Sequence, residues 1–167
     1  MTSSARATAR EAVAHHEAGH VVAILQTGGD FRYATLRPRA RSVPGLVRDY
    51  QPTSRAALGL VLAAGPVAEV AFRQRRDWHP LSPDVTRRAV LAEAEDGAHP
   101  EITELGSMRG VPFGATLDHA VQLVTTYWPQ VEVLAAHLAA SGRAVTSGQA
   151  RAVVRNVTFR RLGDSPP

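Results

Sequence analysis

The chain has 167 residues, enough for one domain with a substantial core, and its 44% hydrophobic and 20% charged content fits a globular protein. It has no cysteine, which excludes disulfides, thiolate metal sites and thiol catalysis, and no lysine, so its net charge of +4 rests on 19 arginines. Aromatics are only 5%, too few to interleave with the arginine clusters, so a nucleic-acid partner is not expected. No leader peptide and no apolar run of bilayer length is read from the sequence, and the expectation is a soluble, cytoplasmic protein without a membrane segment.

Residues 1–8 read as a disordered start. Thr8 and Glu11 form a capping-box pattern, so a first helix is expected over Ala9–Gln26, closed by Gly28-Gly29. Phe31–Leu36 and Val43–Val47 read as short extended runs of a hairpin or small edge sheet, with Pro38 and Pro44 limiting the ladder. Thr53 or Ser54 caps a second helix, Arg55–Gln74, which Pro66 should kink or restart. Its apolar stripe of Leu58, Leu62, Gly65 and Phe72 also carries Glu69, a carboxylate that needs a partner on a buried face.

Asp77–Leu81 is a connecting loop. Ser82 caps a third helix, with Pro83 at its first position and its end near Asp96. Residues 98–115 read as irregular and mobile. Thr116 opens a long helix, Leu117–Ala140, which Pro129 kinks or divides and Ser141-Gly142 end. A short helix from Thr146 or Ser147 to about Asn156 follows. The expected organisation is one mainly α domain over residues 9–157, with a small β-hairpin or edge sheet and a polar tail at 158–167.

The chemistry concentrates in His16-Glu17-Ala18-Gly19-His20, mid-way along the first helix. Residues four apart share a helical face, so the imidazoles of His16 and His20 can hold one metal ion, while Glu17 can act on a water at that ion as general base. His15 points about a quarter turn away. A catalytic zinc needs a third protein ligand. The position eleven beyond His16, where some related enzymes place a histidine, is Thr27. The candidates are Asp84, Glu69, His79, His99 and His119; of these, His79 and His99 read as loop residues on the surface and His119 as a core or surface histidine.

The stretch His16-Glu17-Ala18-Gly19-His20-Val21-Val22 resembles the zinc helix of the FtsH family of ATP-dependent metalloproteases. Ala34-Thr35-Leu36-Arg37-Pro38-Arg39 is similar to the family's following strand and Pro-Arg turn, and Ala64-Gly65-Pro66-Val67-Ala68-Glu69-Val70-Ala71-Phe72 to its helix of two small residues, Ala-Glu and an aromatic. Leu81-Ser82-Pro83-Asp84-Val85-Thr86 stands where the family has an Asp opening a helix, and Tyr127–Val154 resembles the closing helices. The resemblance implies a zincin-like helical peptidase domain with His16, His20 and Asp84 as zinc ligands and Glu17 as base. Glu69 is then a supporting carboxylate that orients an imidazole, or an alternative ligand. The implied activity is zinc-dependent hydrolysis of unfolded or flexible protein substrates. The chain lacks the family's phosphate loop and its lysine, so a separate ATPase is an implied partner, and the rings of the family imply a homo-oligomer. The alternative reading is a non-catalytic zinc-binding regulatory or interaction module.

Overall fold

A computed structural model describes residues 3–36, 45–76 and 82–160. The first helix, α1 (Ser3–Gln26), begins upstream of the expected cap, and Thr8 lies inside it. The Ala- and Arg-rich stretch from Ser4 to Arg10 contains no helix breaker, so nothing stops the helix from extending back. Gly28, at φ 72°, turns the chain out of α1 in the left-handed conformation that glycine adopts without strain.

Strands β1 (Tyr33–Thr35) and β2 (Leu46–Arg48) pair antiparallel, Ala34 opposite Val47, as the hairpin reading anticipates. A third strand, β3 (Val145–Thr146), pairs on the other edge of β1 and gives the order β2-β1-β3. Two residues are too short a run to announce a strand; the pairing with β1 creates it.

α2 (Arg55–Arg76) runs continuously through Pro66. Proline removes one ladder donor, but residues Ala63 through Ala68 are all buried, and that packing holds the helix across the gap. By length and composition Arg55–Arg75 is apolar enough to cross a membrane, contrary to the sequence reading, yet 67% of it is buried inside the fold. It is the central core helix, packed against α1 on one side and α5 on another. The two backbones come close at Gly19, where a Cβ would lie 2.4 Å from the Ala64 carbonyl oxygen.

α3 (Pro83–Glu95) has Ser82 at its N-cap and Pro83 in its first turn, as expected. The stretch expected to be irregular instead contains α4 (Pro100–Ser107), after the left-handed Gly97. Ile102 and Leu105 anchor it in the core, each worth about 2 kcal/mol by burial. The long helix is two, α5 (Phe113–Thr126) and α6 (Trp128–Ser141), broken at Tyr127 ahead of Pro129. Thr116 is therefore a buried residue within α5 and not a cap. Gly142, at φ 57°, ends α6, and α7 (Ser147–Arg160) closes the described chain. Among the described residues the fold is thus seven helices with one small antiparallel sheet.

Candidate metal centre

His16, Glu17 and His20 sit on the stretch of α1 that faces α2. The two imidazole centroids are 4.7 Å apart with planes nearly perpendicular, and the Nε2 atoms approach to 3.0 Å. Each ring is held from behind by α2. His20 Nδ1–H donates to the Val61 carbonyl at 2.8 Å, and His16 Nδ1–H donates to Glu69 Oε2 at 2.9 Å. With both Nδ1 atoms engaged on α2, both Nε2 atoms are turned towards one point, where they could share a proton or hold a cation.

Glu101, in the first turn of α4, completes the group: its Oε1 is 3.5 Å from His16 Nε2, and one donor atom from each of His16, His20 and Glu101 lies within 4.8 Å of the others. Two imidazole nitrogens on one tetrahedral zinc stand about 3.3 Å apart, given zinc–nitrogen bonds of about 2.0–2.1 Å. The observed 3.0 Å is close to that, so the donor set fits such an ion.

The electrostatics point the same way. Burial disfavours charge on His16, but its hydrogen bonds to Glu101 and Glu69, helped by the Glu17 carboxylate, outweigh that and raise its pKa. Burial and the neighbouring charge on His16 push His20 down. Burial also opposes ionisation of Glu101, yet its hydrogen bond to His16 and the charge there hold its pKa low. Three carboxylates, those of Glu17, Glu69 and Glu101, thus stand around the two imidazoles, a donor-rich pocket that could accommodate a divalent cation.

Glu17 is only 5% exposed. Burial pushes its carboxyl up to about 7; the charge on His16 acts against this, and Glu101 and Glu69 add to it. Two glycines make room at the centre. A Cβ at Gly45, entering β2, would lie 2.3 Å from Glu17 Oε1, and one at Gly65 of α2 would lie 2.4 Å from His20 Nε2. A cavity of about 580 Å³ opens over His16, Glu17, His20 and Glu101, with walls from β2, α1, α2 and the start of α4.

Of the residues singled out in the sequence, His16, Glu17, His20 and Glu69 come together. Asp84 does not join them: it is exposed in the first turn of α3 and belongs to neither metal-capable group among the described residues. α3 turns Thr86 and Val90 inward, with Thr86 Oγ1–H donating to Gln74 Oε1 at 2.6 Å, and Asp84, two residues before Thr86, falls on the opposite side. Glu69 acts as the partner of an imidazole, and Arg73 stands 3.7 Å from its other oxygen. His15 stacks on Phe72 at 4.1 Å and near Trp128 at 5.6 Å, turned away from His16 as expected. His119 is exposed, and His79 lies outside the described residues.

Two residues were undervalued in the sequence. Glu101 was hidden in a stretch read as irregular. His99, read as a surface residue, is 3% exposed and donates from Nε2–H to Glu93 Oε2 at 2.8 Å. A signal existed: His99-Pro100-Glu101 repeats the pattern of Ser82-Pro83-Asp84, a proline in the first turn followed by an acidic residue. No known family model, curated protein or solved structure matches the chain.

Proposed function

We propose that the chain is a zinc-dependent endopeptidase of zincin-like type, with His16, His20 and Glu101 as metal ligands and Glu17 as general base. The observation that carries the reading is the convergence of two imidazole Nε2 atoms, each with its Nδ1 already engaged, beside one carboxylate in the open cavity and a second that is buried. Zinc held by such a set supplies a water with a pKa near neutrality and polarises a substrate carbonyl.

The chain's own groups carry the remaining steps. Glu17 takes the proton of the attacking water and returns it to the leaving amine; a carboxyl raised towards neutrality by burial suits both transfers. Glu69 and the Val61 carbonyl keep both imidazoles in the tautomer that presents Nε2, and Glu69 makes His16 the stronger donor. Leu46, Val47, Leu58 and Leu62 give the cavity apolar walls for the side chains of an unfolded or extended segment.

The resemblance of α1 and α2 to the FtsH protease domain supports a peptide substrate, with Glu101 serving where the family order points to Asp84. The same resemblance supports an ATPase as partner. The test is Glu17→Gln. It retains zinc and abolishes digestion of an unfolded casein that the wild-type chain cleaves; retained digestion removes Glu17 from the mechanism. The seal of Gly45 over Glu17 favours a second reading, a zinc-binding module without turnover. That reading prevails if the wild-type chain binds zinc and cleaves nothing.

A further inference from the structure

Behind the His16–His20 pair, on the side of His16 that faces α2 and away from the shared Nε2 point, a chain of charged groups joins α1, α2, α3 and the start of α4. Glu69 Oε2 accepts from His16 Nδ1–H. Arg73, one turn on in α2, stands 3.7 Å from Glu69 Oε1 and donates to Glu93 Oε2 of α3 at 2.5 Å. The same Glu93 oxygen accepts from His99 Nε2–H at 2.8 Å, and the His99 ring lies nearly parallel to that of His16 with centroids 6.4 Å apart. His99 is the N-cap residue of α4, two positions before Glu101.

Three atoms here, from His16, Glu69 and His99, also lie close enough to suggest a second ion. The Arg73 guanidinium argues against that, because it already supplies a positive charge to both Glu69 and Glu93. The cluster reads instead as a brace. α4 has only eight residues, too few to hold its place by helix stability alone, and no side chain caps its start. Apart from the contact of Glu101 with His16, its N-terminal end is tied to the fold by the buried bond of His99 to Glu93.

We propose that His99 and Glu93, fixed by Arg73, are positioning residues that set the reach of Glu101 to the two imidazoles. The proposal rests on the metal reading above and adds the element that places its third ligand. Removing the brace leaves the ligands present but lets the start of α4 drift, and metal sites lose affinity when an outer hydrogen bond is lost.

The experiment measures zinc affinity by competition with a chromophoric chelator for the wild type, H99L, E93Q, E101Q and H99L/E101Q, with the visible absorption of the cobalt-loaded proteins as a geometric signature. H99L and E93Q each weaken zinc binding about 10–100-fold and change the cobalt spectrum. In the E101Q background H99L causes no further loss, because its effect runs through Glu101. Wild-type affinity and spectrum in H99L and E93Q, or losses that multiply in the double variant, overturn the proposal. Should H99L fail to fold, E93Q decides alone, since it keeps the side-chain volume while removing the charge that Arg73 and His99 share. Zinc binding by E101Q as tight as wild type overturns the metal reading itself, and the brace with it.

Discussion

Gly65→Ala is a one-carbon test of the metal centre. The new methyl would start 2.4 Å from His20 Nε2 and Cε1, and ordinary contact begins at 3.4 Å, so the imidazole must retreat by about 1 Å. It has little freedom to do so, because its Nδ1 is tied to the Val61 carbonyl and α1 is held against α2 at Gly19. Two effects on stability oppose each other. Replacing glycine inside a helix gains about 1 kcal/mol, while overpacking a tight site costs about 1–3 kcal/mol. The metal-free protein should therefore change by no more than about 2 kcal/mol and remain folded. Zinc affinity has no such compensation: an Nε2 moved by about 1 Å no longer shares a tetrahedral point with His16, and the loss should reach at least about tenfold. Urea unfolding with and without zinc, together with a competition titration, separates the two effects. A G65A protein that binds zinc as tightly as wild type refutes the placement of His20 as a ligand facing α2.

Further outcomes follow from the same geometry. Glu101→Gln should weaken zinc binding by more than the roughly 10–100-fold typical of an outer partner, whereas Asp84→Asn leaves it unchanged; the reverse pattern would restore the family-like ligand. Zinc at about a hundred times its dissociation constant should stabilise the fold by about 2.7 kcal/mol, roughly 5–10 °C in Tm, and a chelator should remove that increment; an unmoved Tm contradicts binding to the folded state. His15→Ala should lower stability by about 1–2 kcal/mol through loss of its stack on Phe72, with zinc affinity untouched, as calorimetry and the same titration would show.

The metal motif was legible from local rules. Helical spacing alone brings His16 and His20 to one face, and the structure puts their rings 4.7 Å apart. The small-residue pattern of α2 was visible as well, and the packing gives each position its reason. Gly65 leaves room for His20, Ala64 and Ala68 for the approach of Gly19, Glu69 reaches His16, and Phe72 receives His15. Such a helix face is readable because its neighbours are set by a fixed period.

The third donor was not decidable in that way. Ser82-Pro83-Asp84 and His99-Pro100-Glu101 are equivalent openings of a helix, with a proline and an acid in the first turn, and nothing local separates them. What distinguishes them is which helix end the fold turns towards α1. Thr86 and Val90 face α3 inward and leave Asp84 outside, while Ile102 and Leu105 seat α4 so that Glu101 meets His16. The same holds for β3, a two-residue strand that exists because β1 has a free edge, and for His99, whose burial depends on Glu93 arriving from another helix. The sequence by itself determined the helix that carries His16, Glu17 and His20, since those residues lie within about one helical turn. Only the tertiary structure decided which carboxylate stands beside the two imidazoles and that His99 meets Glu93, because those contacts depend on long-range packing that no local period encodes.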